Sequence, residues 1–303
     1  MELKNFDEML ALVPKGKSFR AAVAGSDSEN VLKAVFQAQG EGFIQPILVG
    51  DRARTAALLD KLGFAGNSYE MVEVSAGASP AKVAIDLINS GKADILVRGN
   101  ILAHEMLPYV LNKTEGLYDG RMLSHVSLAS LPDYPKLIAL SDMAVIVQPD
   151  LQKKKAMLVN MAEAFRALGY EDPKLALMAV VEHVTFHARD TVDAQTLMID
   201  QARTHYVDAQ LWGPISYDLI VSKEAARLKG YDCPWCGEGF DGILAPELTL
   251  ANTLVKSWLM HSQSDVSGVV VGAKAPIAFP NRSASAREHY LSIAFAAIMA
   301  DKK

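Results

Sequence analysis

The sequence predicts an α/β fold built from mostly parallel sheets with flanking helices. The first observation behind this prediction is a set of short, β-branched runs that alternate with amphipathic segments. The predicted strands are Ala21–Ala24, Pro46–Val49, Met71–Val74, Ile95–Val97, Leu137–Leu140, Val145–Val147, Leu175–Val181, Ile243–Leu244 and Val269–Val271. Strands that alternate with helices imply parallel sheets covered by helices.

The second observation is the helical spacing of the segments between strands and the residues that start them. Apolar side chains recur three and four positions apart within residues 31–36, 158–165 and 291–298. Cap residues stand at strand-to-helix junctions, namely Ser26, Ser28, Ser79 and Asp150. Such junctions follow strand carboxyl ends, where α/β proteins bind ligands.

Composition excludes several classes of protein. With 303 residues, 50% of them hydrophobic, the chain can bury a large core in two lobes or one large α/β unit. The net charge of -5 lacks the basic excess of a nucleic-acid binder, and no apolar run approaches the ~20 residues of a membrane span. The amphipathic start (1–17) does not read as a secretion signal, and two cysteines are too few for a disulfide framework. We therefore expect a cytoplasmic protein.

The segment from Gly268 to Arg287 has the composition of an anion site. It joins a buried strand to the final helix through a turn that carries Lys274, Arg282, Ser283 and Ser285. The N–H groups at the start of the helix favour a negative ligand. Serine and asparagine also cap helices for structural reasons, so spacing alone leaves both interpretations open.

The same segment contains three short motifs, Gly272-Ala-Lys-Ala-Pro-Ile277, Asn281-Arg-Ser-Ala-Ser285 and Leu291-Ser-Ile-Ala294. Together they resemble the C-terminal signature of the phosphate acetyl/butyryl transferases, especially the butyryl branch. Further motifs follow the order of the family, namely Ala93-Asp-Ile-Leu-Val-Arg-Gly99, Leu111-Asn-Lys113, Gly116-Leu117, Leu123-Ser-His-Val126, Asp142, Pro149-Asp-Leu151, Gly213-Pro214, Asp218 and Pro246-Glu-Leu248. The resemblance spans roughly residues 19–297.

The resemblance implies a two-lobed fold like that of isocitrate and isopropylmalate dehydrogenases, with a cleft between the lobes. We place the first α/β domain at residues 1–142 plus 272–303 and the second at 143–271. The implied activity moves a short acyl group, butyryl or acetyl, between coenzyme A and inorganic phosphate. Coenzyme A is then a substrate, no tightly bound cofactor, metal or nicotinamide is implied, and a homodimer is expected.

The resemblance also implies roles for individual residues. The catalytic arginine of the signature falls on Arg282, with Asn281, Ser283 and Ser285 as polar support for the reacting centre. Implied substrate-binding residues are Arg98, Asn100, Arg121, Ser124, His125, Asp142 and Lys274. A structural role is the alternative for His125, and a plain surface position is the alternative for Arg98.

Two departures from the signature bear on catalysis. The serine that usually precedes the arginine is Asn281 here, and the usual aspartate is Ala284. An asparagine can still donate a hydrogen bond to an oxyanion, whereas an alanine offers no polar group. Glu288, one helical turn further on, is a candidate substitute for the aspartate. The alternative function is a relative that binds coenzyme A or acyl phosphate without turnover.

Three weaker patterns point to other chemistry. Cys233-Pro-Trp-Cys236 has the spacing of thioredoxin-like redox sites, although relatives have a plain loop here. Glu182, His183 and His187 invite a zinc interpretation if they share a helix, but their order is not His-Glu-x-x-His. The hypothesis of a metal-dependent decarboxylating dehydrogenase rests on shared architecture only. We favour the acyltransferase over all three.

Overall fold

The computed structural model describes residues 2–75 and 77–302, which divide into two compact units. The terminal unit comprises residues 9–123 and 267–302, and the central unit comprises residues 2–8 and 124–266. The boundaries drawn from the sequence, at 142/143 and 271/272, differ from these. The first difference arises because strands β5 (Ser124–Ser130) and β6 (Ile138–Ser141) pair with each other, which keeps residues 124–142 with the segment that follows.

The terminal unit contains a six-stranded sheet. Its elements are β1 (Phe19–Ala24), α2 (Glu29–Gly40), β2 (Ile44–Gly50), α3 (Arg52–Leu62), β3 (Glu70–Glu73), α4 (Pro80–Asn89), β4 (Ile95–Arg98), α5 (Ala103–Val110), β10 (Asp265–Val271), β11 (Ile277–Ala278) and α11 (Ala286–Asp301). Strand order is β3-β2-β1-β4-β11-β10. All neighbours are parallel except β11 and β10, which form an antiparallel pair.

The central unit contains a five-stranded sheet. Besides β5 and β6, its elements are α6 (Leu151–Ala167), β7 (Lys174–Met178), α7 (Arg189–Thr204), β8 (Gln210–Ile215), α8 (Tyr217–Val221), α9 (Lys223–Lys229), β9 (Gly242–Leu244) and α10 (Leu248–His261). Strand order is β5-β6-β9-β7-β8, parallel except for the β5–β6 pair. The short helix α1 (Phe6–Leu10) spans the boundary at residues 8/9.

Each unit has its own apolar core. Phe279 and Phe295 are among the largest fully buried side chains of the terminal unit. Phe165 and Phe240 are among the largest of the central unit. Residues 289–299 of α11 are buried without a break, so this helix is enclosed on all sides. A helix enclosed in this way fixes the position of the turn that precedes it, which matters for the site below.

These elements confirm the predicted α/β class with mostly parallel sheets and flanking helices. The predicted strand Val145–Val147 is wrong, since these residues form an irregular turn in which the Val145 and Ile146 N–H groups bond to Asp142. Strands β5 and β8 were not predicted, because Ser, His, Gly and Pro interrupt their apolar residues. Within the described ranges no helix is long and apolar enough to cross a membrane.

Candidate active site

The carboxyl ends of three neighbouring strands define one edge of the terminal sheet. Strands β1, β4 and β11 run parallel, with Ala24 opposite Arg98 and Ala278 opposite Val97. Each strand therefore ends at the same edge, and the chain continues from it into a loop. This edge is where an α/β sheet presents ligand-binding groups.

Two of these loops approach so closely that they require glycine. A Cβ on Gly99 would lie 2.1 Å from the carbonyl oxygen of Gly25, and Gly25 itself has a φ of +78°. The backbone N–H of Asn100 donates to the Gly25 carbonyl at 2.7 Å, and its exposed amide lies 3.4 Å from Asp27 Oδ1. Asn100 thus lies at the edge that Arg98 also occupies.

Arg98 is a buried cation without a carboxylate partner in the described part of the chain. The residue is only 6% exposed. Its guanidinium stacks on the Phe279 ring, with 4.7 Å between the guanidinium carbon and the ring centroid. Nε donates to the Ile101 carbonyl at 3.0 Å and Nη1 to the Pro280 carbonyl at 3.1 Å. Because a guanidinium has five N–H donors, three are left for another acceptor.

Arg282 supplies a second positive charge at the same place. It is exposed, follows strand β11, and makes no ion pair with any residue that the structure describes. Burial, together with the charge of Arg282, lowers the pKa of Arg98 to about 10. Arg98 still carries its proton at neutral pH, so two like charges lie near each other, and a bound anion would relieve their repulsion.

The turn that carries Arg282 is fixed by hydrogen bonds to two helices. Asn30, in the first turn of α2, donates from Nδ2 to the Ala284 carbonyl at 3.1 Å. Ser285 caps α11: its Oγ accepts from the Glu288 N–H, and the Ser285 N–H donates to Glu288 Oε2 at 2.8 Å. This reciprocal capping box holds the Glu288 carboxylate at the helix start. Glu288 therefore acts as a cap in this structure, whereas the sequence proposed it as a replacement for the missing aspartate.

The remaining polar groups of the turn lie next to Arg282. The Asn281 Oδ1 accepts from the Arg282 N–H at 3.0 Å, which leaves the amide nitrogen able to donate. Ser283 is exposed and has no hydrogen bond within the described residues. Asn281, Arg282 and Ser283 thus lie side by side on one turn.

Sequence analysis missed His289, which lies one turn into α11. It is 5% exposed, and its Nδ1 has no hydrogen-bond partner in the part of the chain that is described. Burial, and then the charge of Arg98, lower the pKa of His289 to about 4, so the ring is neutral at pH 7. A lone histidine within an apolar helix was the one signal available in the sequence.

In the central unit, Asp142 accepts four backbone hydrogen bonds. The donors are the N–H groups of His125, Ala144, Val145 and Ile146, at 2.7–3.3 Å from the carboxylate. The residue is fully buried, and this burial raises the pKa of Asp142 to about 6 against the opposing effect of the four bonds. Its carboxylate therefore organises the chain after β6, which is a structural role.

Ser124 and His125 begin strand β5 and are also buried. The Ser124 Oγ accepts from Asn160 Nδ2 at 2.9 Å, and His125 Nδ1 lies 3.3 Å from the Ser127 hydroxyl. Both side chains thus have internal partners. The structural alternative for His125 is the one that these contacts favour.

Arg121 and Lys274 are two further residues that the resemblance assigns to substrate binding. Arg121 is exposed and forms an ion pair with Asp119 at 3.3 Å. Lys274 lies in a groove of about 670 Å³ with Phe19 and Asp94, which stand at the amino ends of β1 and β4. Because Arg98 is at the carboxyl end of β4, the length of that strand separates Lys274 from Arg98. Lys274 is therefore not part of this site.

The structure does not contain the shared helix that the zinc interpretation requires. His183 and His187 lie in an irregular segment between β7 and α7 and do not share a helix, while Glu182 bonds to Ser216 and pairs with Lys229. No group of three or more His, Cys, Asp and Glu side chains able to hold a metal occurs within residues 2–75 and 77–302.

Comparison with known proteins agrees with this geometry. The family model described as "Phosphate acetyl/butaryl transferase" matches residues 56–297. The phosphate butyryltransferase of Clostridium acetobutylicum is 31% identical over 301 residues, which cover 99% of this chain and 100% of the relative. The branched-chain phosphotransacylase from Enterococcus faecalis superposes with a TM-score of 0.80 at 28% identity, over 93% of this chain and 99% of that one.

A more distant likeness concerns the fold alone. A 4-hydroxythreonine-4-phosphate dehydrogenase from Klebsiella pneumoniae superposes with a TM-score of 0.54 at 11% identity, over 93% of this chain and 99% of that one. This agrees with the dehydrogenase-like architecture that the resemblance implied. The match of the family model and the full-length relative carry the assignment: this chain belongs to the phosphate acetyl/butyryl transferase family.

Proposed function

We propose that this chain transfers a short acyl group, butyryl or a similar one, between coenzyme A and inorganic phosphate, and that Arg98 and Arg282 bind the phosphoryl group. The observation that carries the proposal is the pair of arginines at one sheet edge without a carboxylate partner among the described residues. Arginine is suited to this role because its planar N–H fork matches phosphate oxygens.

The reaction requires no covalent enzyme intermediate. In one direction the thiolate of coenzyme A attacks the carbonyl carbon of the acyl phosphate, and the tetrahedral intermediate expels phosphate. In the other direction phosphate attacks the thioester and expels the thiolate. The enzyme must hold the two substrates in line and stabilise the charge that develops on the carbonyl oxygen.

Arg282 and Arg98 would neutralise the phosphate in either direction. Arg98 is held by Phe279 and two carbonyl groups, so it supplies a fixed donor, whereas Arg282 is exposed and can reach the ligand from the turn. The amide nitrogen of Asn281 and the hydroxyl of Ser283 are the uncharged side-chain donors that flank Arg282 on that turn. We assign them to the carbonyl oxygen, where a preorganised donor is worth ~100-fold in turnover.

The assay follows thiol release from butyryl-CoA in the presence of phosphate. Arg282→Ala is expected to lower kcat/KM for phosphate by about 100-fold or more. Arg166→Gln is the matched control, because it removes an exposed arginine of the central unit that pairs with Asp208. If Arg282→Ala kept the activity of the control, the assignment of Arg282 to phosphate would be wrong.

The same assay addresses the alternative of a non-catalytic binding protein. Ala284 is 3% exposed, and the acidic side chain of the signature is absent from its position. Binding of coenzyme A without phosphate-dependent thiol release would favour the binding protein. Acyl-CoA substrates of increasing chain length would then define the acyl preference of an active enzyme.

The proposal includes a cytoplasmic location and a homodimer, both of which come with the family resemblance. Cell fractionation tests the location. Sedimentation of the purified chain tests the dimer.

A further inference from the structure

The two cysteines of this chain stand at the ends of one tight turn. Cys233 and Cys236 are the only cysteines in the sequence, and both are free and partly buried. The Cys236 N–H donates to the Cys233 carbonyl at 3.4 Å, which closes a four-residue turn between α9 and β9. The ends of such a turn lie less than about 7 Å apart between Cα atoms, within reach of the ~4.4–6.8 Å that a disulfide spans.

The Cys236 thiol is influenced by its surroundings. Burial, and then the neighbouring Cys233, raise the pKa of Cys236 to about 12. Cys236 therefore keeps its proton at neutral pH. Of the two, Cys233 is the one placed to attack an electrophile, and Cys236 is placed beside it to react second.

The turn is held rigidly against the core of the central unit. Trp235, between the cysteines, packs edge-on against Trp212 and Phe240 with ring centroids 5.9 and 5.8 Å apart. The Gly237 N–H donates to two carbonyls of α8, and a Cβ on Gly237 would lie 2.3 Å from the Lys223 nitrogen. A turn fixed at both sides keeps the two sulfurs together in the folded protein, whereas the unfolded chain must bring them together at random.

We propose that Cys233 and Cys236 form a reversible dithiol–disulfide site that exchanges with low-molecular-weight disulfides. The Cys233 thiolate attacks one sulfur of the disulfide RSSR, forming a mixed disulfide and releasing RS⁻. Cys236 then gives its proton to solvent and attacks the Cys233 sulfur, which releases the second RS⁻. The protons that the two cysteines lose convert the RS⁻ groups to two RSH, and the two electrons lost by the cysteines reduce RSSR.

The test uses the full chain in buffers of reduced and oxidised glutathione, with acid quenching and mass spectrometry. Because the chain has no other cysteine, every change in thiol content reports this site. We expect an internal disulfide whose equilibrium constant is at least about tenfold larger in the folded protein than in urea. Oxidation should also change the fluorescence of Trp235, which lies between the two sulfurs in sequence.

Single variants separate the roles of the two cysteines. Cys236→Ser should accumulate a stable mixed disulfide on Cys233, because no second thiol can resolve it. Cys233→Ser should react with glutathione disulfide at least about tenfold more slowly, since the Cys236 thiol holds its proton. The proposal is overturned if oxidation yields only disulfides between chains, if folding does not increase the equilibrium constant, or if the two variants react at equal rates. None of these measurements depends on acyl transfer.

Discussion

Two buried charges in this molecule have opposite surroundings. Arg98 in the terminal unit and Asp142 in the central unit are 6% and 1% exposed, and each lies at the carboxyl end of a strand. The Asp142 carboxylate accepts hydrogen bonds from four backbone N–H groups of its own unit. Arg98 instead has two carbonyl acceptors and a second arginine nearby.

The difference fits a structural role for Asp142 and the ligand-binding role that we propose for Arg98. Burial of a charge is costly unless it is paired or hydrogen-bonded. The Asp142 carboxylate receives four hydrogen bonds from the backbone that it organises, so folding explains its presence. The Arg98 guanidinium is compensated only in part, and the missing contribution is what an anionic ligand would supply. The four predictions that follow test this distinction.

The largest effect is expected from Arg98→Met. This change should lower kcat/KM for phosphate by about 100-fold or more, because it removes a fixed donor from the proposed phosphate site. The free energy of unfolding should change by only about 1 kcal/mol, since the lost hydrogen bonds are offset by removal of a buried charge. Steady-state kinetics and urea unfolding measure the two quantities.

Arg98→Lys is the matched variant, because it keeps the charge without the planar fork. Its activity should lie between those of the wild type and Arg98→Met. A strongly destabilised Arg98→Met with normal activity would assign Arg98 to structure and remove the contrast with Asp142.

For Asp142 the expected effect is on stability. Asp142→Ala leaves four buried N–H groups without their acceptor and should lower the free energy of unfolding by about 2 kcal/mol. Asp142→Asn retains one side-chain oxygen and should lose less. Urea unfolding near pH 7 compares the two variants, and equal stability of Asp142→Ala and the wild type would show that the carboxylate does not organise the turn.

Residue pattern and the resemblance together predicted the edge that carries Arg98 and Arg282. Parallel strands bring their carboxyl ends to one edge, so the sequence pattern alone places residues that are distant along the chain together. The signature turn with Asn281 and Ser283 followed from the same resemblance. The contribution of Phe279, which stacks under Arg98, could not be predicted, because it depends on where a side chain points.

The surroundings of Asp142 and Lys274 could not be predicted for a related reason. Residues 145–147 are apolar and β-branched, which predicts a strand, yet the N–H groups of Val145 and Ile146 donate to the Asp142 carboxylate. Lys274 is close to Arg282 in sequence, but Lys274 precedes the amino end of β11 whereas Arg282 follows its carboxyl end. Sequence distance does not report which end of a strand a residue occupies.

The pKa shifts of Asp142 in the central unit and His289 in the terminal unit provide a finer comparison. The pKa of Asp142 is raised from 3.8 to about 6, so the folded state binds more protons than the unfolded state and stability falls as pH rises through 4–6. The pKa of His289 is lowered from 6.5 to about 4, so here the unfolded state binds more protons and stability rises with pH from about 4 to 6.5. In the wild type the two effects oppose each other.

A variant that removes one of these two titrating groups should reveal the pH dependence of stability that the other group contributes. His289→Gln should become less stable as pH rises from 4 to 6, and Asp142→Asn should become more stable over the same range. Each group contributes a slope of up to about 1 kcal/mol per pH unit. Urea midpoints measured between pH 4 and 7 provide the test, and identical pH profiles for the two variants would contradict both pKa shifts.

The smallest effect is expected at Ser285, which the family resemblance placed among the catalytic groups. Its hydroxyl caps α11 by accepting from the Glu288 N–H at 3.2 Å. Ser285→Ala should therefore cost about 1 kcal/mol of stability and leave kcat within about threefold of the wild type. Glu288→Gln is the matched control, because glutamine can complete the same capping box.

The same kinetics decide between the two roles of Ser285. A hydroxyl that donated to the developing oxyanion would be worth ~100-fold in turnover, far more than a helix cap can affect. A loss of that size in Ser285→Ala with unchanged stability would move Ser285 into the catalytic group. The expected result instead leaves Asn281 and Ser283 as the uncharged donors of the turn and gives Ser285 the task of holding α11, and with it Arg282, in place.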